Sequence, residues 1–352
     1  MELNNIIFSI LLLSVGFFFN KYLLLIFYKS KYNLLIDNDY NKPQAFHESS
    51  TYRLGGITIF FTLSLSFLYL SFLKNIYFPE YTSFCTLFFF LGLLDDIKIK
   101  IVPKFRLSIM ILLLMVLVIS NKLYIEKSGL EFLNHLLTID IFSLIFIILC
   151  FLFIVNGSNL IDGFNGLLSI HALIIFVILF TINLINKNVE LVYILFFIIL
   201  SILIFLKFNF PKAQMFLGDS GAYLLGTLMA VSVIKTSIFN PSVSPFFFCI
   251  LLIYLFFEVF FSFFRKIFVV RQSPLLPDDK HLHMNFYKFL LRKNKLKLNS
   301  NCKVSIYINA MYLLLITPAL IFMHDGFFCR YYFFVLLTVY IYFYKVLSKR
   351  IK

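Results

Sequence analysis

Runs of about twenty apolar residues recur along this chain, each long enough to cross the ~30 Å hydrocarbon core of a bilayer as one helix. Eleven such runs are read near residues 5–28, 55–73, 78–94, 103–120, 139–156, 166–184, 189–207, 215–234, 245–268, 304–322 and 327–347. Hydrophobic residues make up 61% of the 352 positions and charged residues only 14%. No soluble domain could bury that much apolar surface, so the expected solvent is lipid. The expected fold is an all-α polytopic membrane protein, one domain over residues 1–352. The first span does not read as a cleavable leader: it is long, contains Lys21 and lacks a small-residue cleavage site.

A formal charge of +14 would suit a nucleic-acid partner if it formed one patch. Its positions follow the membrane instead. With eleven spans, the odd-numbered loops and the C-terminus share one side, which collects 24 Lys and Arg against 6 on the other. Positive charge is retained in the cytoplasm. The N-terminus is therefore expected outside, and the C-terminus inside. Loops near 29–54, 95–106, 156–166, 207–219 and 265–303 would be cytoplasmic, and no nucleic acid is expected. The stretch after Lys288 reads as a basic loop on an anionic membrane surface. The cysteines show neither disulfide nor zinc spacing.

Four polar patches interrupt the apolar sequence: Leu91–Asp96, Asn156–Leu167, Phe216–Gly226 and Pro277–Lys288. A carboxylate beside hydrocarbon costs roughly 2.5–3.5 kcal/mol even on a lenient insertion scale, so acids at the ends of several spans suggest a site. The topology places all four patches on one face. Asp95 and Asp96 could form a solvated helix end where the acids balance Lys98 and Lys100, or could offer one group to a cation and another to a proton. Asn159 and Asp162 share a helical face if their segment winds up, with Asn165 three residues on; Gly163 and Gly166 allow close backbone approach. Asp219 stands where a helix N-cap would stand, which is compatible with holding a metal. His281 and His283 lack a third zinc ligand and suit a phosphate-rich ligand. Lys42, His47 and Arg53 form a basic lead into the second span. Glu258 is a lone acid in an apolar run, with Arg265 as a candidate ion-pair partner.

In this order and with these spans, the motifs resemble the polyprenyl-phosphate N-acetylhexosamine-1-phosphate transferases. The resemblance runs from about Lys42 to Lys288. It rests on His47…Arg53-x-Gly55-Gly56, Gly92-Leu-Leu-Asp95-Asp96, Asn159-Leu-Ile-Asp162-Gly-x-x-Gly, Phe216-Leu-Gly-Asp219-x-Gly, and Ser273-Pro274…Pro277-Asp278…His281-Leu-His283. It implies transfer of a sugar 1-phosphate from a UDP-activated N-acetylated sugar to undecaprenyl phosphate in the bacterial inner membrane, with release of UMP. By the same resemblance Asp219 would hold Mg²⁺ (or Mn²⁺), with Asn159 as a second ligand. Asp95 would orient or deprotonate the lipid phosphate, and Asp96 would support it. Asp162 and Asn165 would face the nucleotide or metal, and His281, His283, Lys42, His47 and Arg53 would bind diphosphate or sugar. A homodimer is allowed.

Three positions depart from the family pattern: Asn165 replaces a frequent Asp, Met284 a third His, and Tyr52 a usual Pro. The first two set the chain apart from the muramoyl-pentapeptide branch. The Glu258…Arg265…Ser273-Pro274 stretch resembles the branch that initiates O-antigen-like surface polysaccharides. An intramembrane aspartyl protease would want Gly where Phe216 stands and has no use for Asn159. A CDP-alcohol phosphotransferase would want Ala-Arg after Asp162-Gly163. A transporter should show internal repeats and mid-bilayer charges.

Overall fold

The computed structural model describes residues 3–30, 35–37, 50–99, 101–273, 278–293 and 297–351. Lys42 and His47 lie outside the described residues. The chain opens with α1 (Leu3–Ser30), then two short strands, β1 (Ile36–Asp37) and β2 (Thr51–Arg53). Helices α2 (Gly55–Lys74), α3 (Pro79–Asp96) and α4 (Pro103–Asn121) follow, then the short α5 (Glu131–Leu137). Next come α6 (Asp140–Ile161), α7 (Leu167–Ile185), α8 (Val189–Asn209), β3 (Met215–Phe216) and α9 (Gly218–Phe239). The rest comprises α10 (Pro245–Leu251), α11 (Ile253–Phe264) with a π-helical extension to Val270, α12 (Leu282–Lys293), α13 (Lys297–Ile321) and α14 (Gly326–Ile351).

Hydrocarbon offers the backbone no hydrogen-bond partner, so the apolar runs must wind into helices. Proline at the first helical position starts α3, α4 and α10, where its missing N–H costs nothing. Nine helices among the described residues are long and apolar enough to cross a membrane. The predicted spans at 78–94 and 245–268 coincide with α3 and with the α10–α11 pair, which bends by 71° at Leu252. The outer helices leave apolar side chains uncovered, Phe72 at 77% and Leu314 at 74% exposure. Surface of that kind belongs against lipid, and the molecule is a multi-pass membrane protein.

Helix α9 is the hub. It is buried around nearly its whole circumference and packs on α2, α3, α6 and α7. Gly218, Ser220, Gly221, Ala222, Gly226 and Ala230 keep its surface thin enough for such contact. At Gly92 of α3, an added Cβ would lie 2.5 Å from the Asp219 carbonyl oxygen and 2.5 Å from Ser220 Cα. At Gly56 it would strike the Ser220 side chain and the Gly221 backbone. These helices meet backbone to backbone beside the first turn of α9.

Several sequence expectations shift. The segment 156–161 is the end of α6, not a loop, and Asp219 already lies in the first turn of α9. The expected basic loop contains α12, which packs on α13 and α14, and α13 begins seven residues before the predicted span. A small sheet, absent from the helical reading, orders its strands β1-β2-β3. β1 pairs antiparallel with β2, and β2 pairs parallel with β3 through Arg53 and Phe216. This pairing joins segments 160 residues apart because both strands lead directly into helices that pack together. Among the described residues nothing lies within 4 Å of where a Gly163 Cβ would be, so close approach among them does not explain it.

Overpacking a tight backbone contact typically costs ~1–3 kcal/mol. Gly92→Ala should therefore lower the thermal midpoint of the detergent-purified protein, whereas Gly163→Ala should leave it unmoved. Equal midpoints for the two variants would refute the proposed packing.

Candidate active site

The first turn of α9 presents backbone N–H groups that have no partner within the helix. No side chain of its own N-terminus caps them. Asp96, from the end of α3, does so instead: its Oδ1 accepts from Asp219 N and its Oδ2 from Ser220 N, both at 2.9 Å. The negative carboxylate also meets the positive end of the helix dipole. The capping role considered for Asp219 thus belongs to Asp96, and the Asp219 side chain is left for other work.

That side chain turns toward α6. Asp219 Oδ1 accepts from Asn159 Nδ2 at 2.7 Å, while Oδ2 stands 3.7 Å from Arg53 Nη1. Its side chain is 28% exposed, against none for Asp96. Of the two acids, Asp219 is the one a ligand can reach. Arg53 bridges three acids, with Nη1 also 3.5 Å from Asp96 Oδ1 and Nη2 2.8 Å from Asp37 Oδ2. Burial opposes the guanidinium charge, but Asp219, Asp37 and Asp96 together hold its pKa above the ordinary value. The strand pairing of β2 with β1 and β3 places Arg53 there.

Asp162 caps the C-terminal end of α6, immediately after the helix turn that carries Asn159. Loss of solvation, then the nearby Asp219 and Asp96 carboxylates, push its pKa well above the usual carboxylate range; Arg53 pulls the other way. Asp95 points to a second cation: Arg106 Nη1, from the first turn of α4, donates to its Oδ2 at 3.0 Å, and the Tyr223 hydroxyl lies 3.4 Å from the same atom. An oxygen so engaged is better suited to orienting a ligand than to taking a proton from it.

Asp95, Asp96, Asn159, Asp162, Asp219 and Arg53 therefore share one site at the end of the bundle where α3 and α6 end and α2, α4, α7 and α9 begin. Asn165 adjoins it but is used for scaffolding: its amide donates to the Pro211 carbonyl at 3.1 Å, and its backbone N–H to Asn301 Oδ1 at 2.9 Å. His281 and His283 are not a solvated pair. Both are buried and grouped around Glu258, His281 Nδ1 at 2.9 Å and His283 Nδ1 at 3.7 Å. The expected Glu258–Arg265 pair is absent; Arg265 pairs with Asp278. Phe164 links the His pair to the acid cluster, edge-on to the His283 ring at 5.8 Å.

Sequence reading missed Asp37 and Tyr223, and saw Arg106 only as loop charge. Asp37 follows a short apolar run with no motif around it, and Tyr223 sits inside an apolar span. Neither position carries a signal at the level of spacing.

The donor set near Asp219 is all oxygen and amide. No group of three His, Cys, Asp or Glu residues forms a metal cage among the described residues. That suits a hard cation such as Mg²⁺, which takes one or two carboxylates and completes its shell with substrate phosphates and water. Asp219, with Asn159 beside it, is the pair that could hold one, and Asp162 lies within electrostatic reach of Asp219.

An acid whose pKa is raised on folding binds its proton more tightly in the folded than in the unfolded chain. Its contribution to stability is greatest at low pH and falls as pH rises from about 3.9 toward the raised value. The thermal midpoint of metal-free protein should thus drop more between pH 5 and pH 8 in the wild type than in Asp162→Asn. Parallel curves would show that Asp162 is not held against ionisation.

The chain is similar to known proteins over the segment that carries most of these residues. The glycosyl transferase family 4 model matches residues 79–237, which contain Asp95, Asp96, Asn159, Asp162 and Asp219. An undecaprenyl-phosphate alpha-N-acetylglucosaminyl 1-phosphate transferase of Thermotoga maritima is 30% identical over 233 residues, 66% of this chain and 67% of the relative. A phospho-N-acetylmuramoyl-pentapeptide-transferase of Dictyoglomus turgidum is 32% identical over 239 residues, 65% of this chain and 74% of the relative. A probable undecaprenyl-phosphate N-acetylglucosaminyl 1-phosphate transferase of Bacillus subtilis is 26% identical over 246 residues, 69% of this chain and 67% of the relative. With these matches and the acid cluster that its ordered motifs build, the chain belongs to glycosyl transferase family 4, as a polyprenyl-phosphate sugar-1-phosphate transferase.

Proposed function

We propose that the protein transfers an N-acetylated sugar 1-phosphate from a UDP-sugar to undecaprenyl phosphate at the cytoplasmic face of a bacterial inner membrane. An oxygen of the lipid phosphate attacks the sugar-bearing phosphorus of the donor, and the bridging P–O bond breaks toward UMP. The products are the polyprenyl-diphosphate-sugar and UMP. The observation that carries this reading is the convergence of Asp95, Asp219 and Arg53 at one end of a membrane bundle. A lipid phosphate and a water-soluble nucleotide can meet there.

Phosphoryl transfer asks a protein chiefly for positioning and for neutralising charge on oxygens. The phosphate's second pKa lies near 6, so at neutral pH it needs little help losing a proton. Asp95, tied to Arg106, then orients the acceptor: the guanidinium it holds at 3.0 Å is a fork suited to a phosphate. Asp219 and Asn159 would hold Mg²⁺, or Mn²⁺ in its place, which when bound neutralises diphosphate charge. Arg53 offers a second cation beside Asp219. Asp162 lines the donor side, and His281 and His283 bind the diphosphate or sugar.

The pathway favoured is initiation of an O-antigen-like surface polysaccharide. Asn165 supports it over the muramoyl-pentapeptide branch, because its amide donates to the Pro211 carbonyl and a carboxylate there has no proton to give. The muramoyl reading is kept as the second one, since a relative bearing that name is 32% identical.

Purified protein incubated with undecaprenyl phosphate, Mg²⁺ and a panel of UDP-sugars should release UMP with an N-acetylhexosamine donor. Release only from UDP-MurNAc-pentapeptide would move the chain to the second reading. Removing one group that stabilises transition-state charge costs about 10²–10³ in rate. Asp219→Ala should show at least that loss while still folding into the membrane, and saturating Mg²⁺ should raise the wild-type thermal midpoint but not that of the variant. Near-normal turnover by Asp219→Ala would refute the assignment.

A further inference from the structure

The bent span carries a buried carboxylate that the transfer reaction does not use. α11 leaves α10 at 71°, and the Leu251 carbonyl exposed at the break accepts from the Tyr312 hydroxyl at 2.6 Å. Five residues beyond α11's start lies Glu258, 1% exposed. Its Oε2 faces His281 Nδ1 at 2.9 Å, and its Oε1 accepts from Leu282 N at 3.2 Å and stands 3.7 Å from His283 Nδ1. The Tyr254 hydroxyl lies 3.2 Å from His283 Nδ1.

An ionised carboxylate can only accept. His281 must therefore carry its Nδ1 proton toward Glu258, and that bond sets the direction of the ring's other nitrogen. The two imidazoles lie nearly parallel, 8° apart with centroids at 5.5 Å. Both Nε2 atoms are buried and find no hydrogen-bond partner among the described residues. Buried polar atoms without partners are rare and costly, and here two stand side by side on rings that neighbouring residues have oriented. The strand of chain leading to them is pinned by Arg265–Asp278 and by Lys288–Asp279, the latter at 2.8 Å. Phe164, between Asp162 and Asn165, touches the His283 ring, which puts the pair next to the donor side of the acid cluster.

We propose that Glu258 is a positioning residue for donor binding: it takes the Nδ1 side of His281, as Tyr254 takes that of His283, and so fixes two near-parallel rings whose Nε2 atoms form a two-point site for the diphosphate of the UDP-sugar. This rests on the transferase reading above. Glu258 touches no substrate and acts through the imidazoles.

The test uses the full-length protein in detergent, with UMP release as the rate and UDP-GlcNAc titration as the binding measurement. Glu258→Gln should raise KM and Kd for the UDP-sugar about tenfold or more, leave KM for undecaprenyl phosphate unchanged, and be partly rescued by Glu258→Asp. In a His281→Ala background the same change should add less than about twofold, as expected of residues acting as one unit. In protein labelled with ¹⁵N-histidine, the Nδ1–H signal of His281 should shift in Glu258→Gln. A lowered thermal midpoint with unchanged KM would make Glu258 a strut only and overturn the proposal. Equal losses in both backgrounds would do so too, as would His281→Ala and His283→Ala variants with wild-type donor affinity. Should the wild type release no UMP from any donor, the transferase reading falls by itself. UDP-GlcNAc affinity and the histidine signal then still decide the role of Glu258.

Discussion

One carboxylate capping another helix governs this molecule's site. Asp96 reaches from α3 to the two free N–H groups at the start of α9, and Gly92, one turn earlier, lets the helices come close enough for it to do so. In hydrocarbon or at its edge an open helix terminus has little else to bond to, so the contact is both a cap and a tether. Because Asp219 is the residue whose N–H is capped, its side chain is free and its direction is settled. Asn159 and Arg53 then meet it from α6 and β2.

The second constraint is electrostatic. Asp95, Asp96, Asp162 and Asp219 crowd one end of the bundle, with Arg53 and Arg106 as the cations in bonding reach among the described residues. Loss of solvation, with repulsion from the Asp219 and Asp96 carboxylates, pushes the Asp162 pKa well above the usual carboxylate range. A protein that retains such a cluster keeps it poised for a cation and for phosphates, whose charges balance together what neither balances alone. The far end of the bundle shows what a purely structural polar group looks like by contrast. There Asn183, Asn188, Thr236 and Asn240 bond to one another and to backbone, and Lys235 sits 2.6 Å from Glu80.

Much of the site was legible from residues alone. Asp95, Asp96, Asn159, Asp162 and Asp219 stand out because acids and amides are expensive beside lipid, and because alternation of sides across the spans sends them to one face. The division of labour among them was not legible. Asp96 as cap, Asp95 bound to Arg106, and Asn165 as a loop anchor all depend on which partner lies across a helix interface. Glu258 is the clearest case: Arg265, seven residues away in sequence, looked the natural partner, yet two turns of helix carry them apart. His281 and His283 come back to Glu258 instead, at the start of a helix where a loop was expected. Asp37 gave no signal, because a two-residue strand has no periodicity to read.

The sequence by itself determined the solvent, the helical class and the set of chemically costly residues, since each follows from transfer energies and spacing along one chain. Tertiary structure alone decided which oxygen faces which nitrogen. Hydrogen bonds act over ~3 Å, and that distance is set by packing between different segments of the chain, through glycine contacts, a bent span and three short strands.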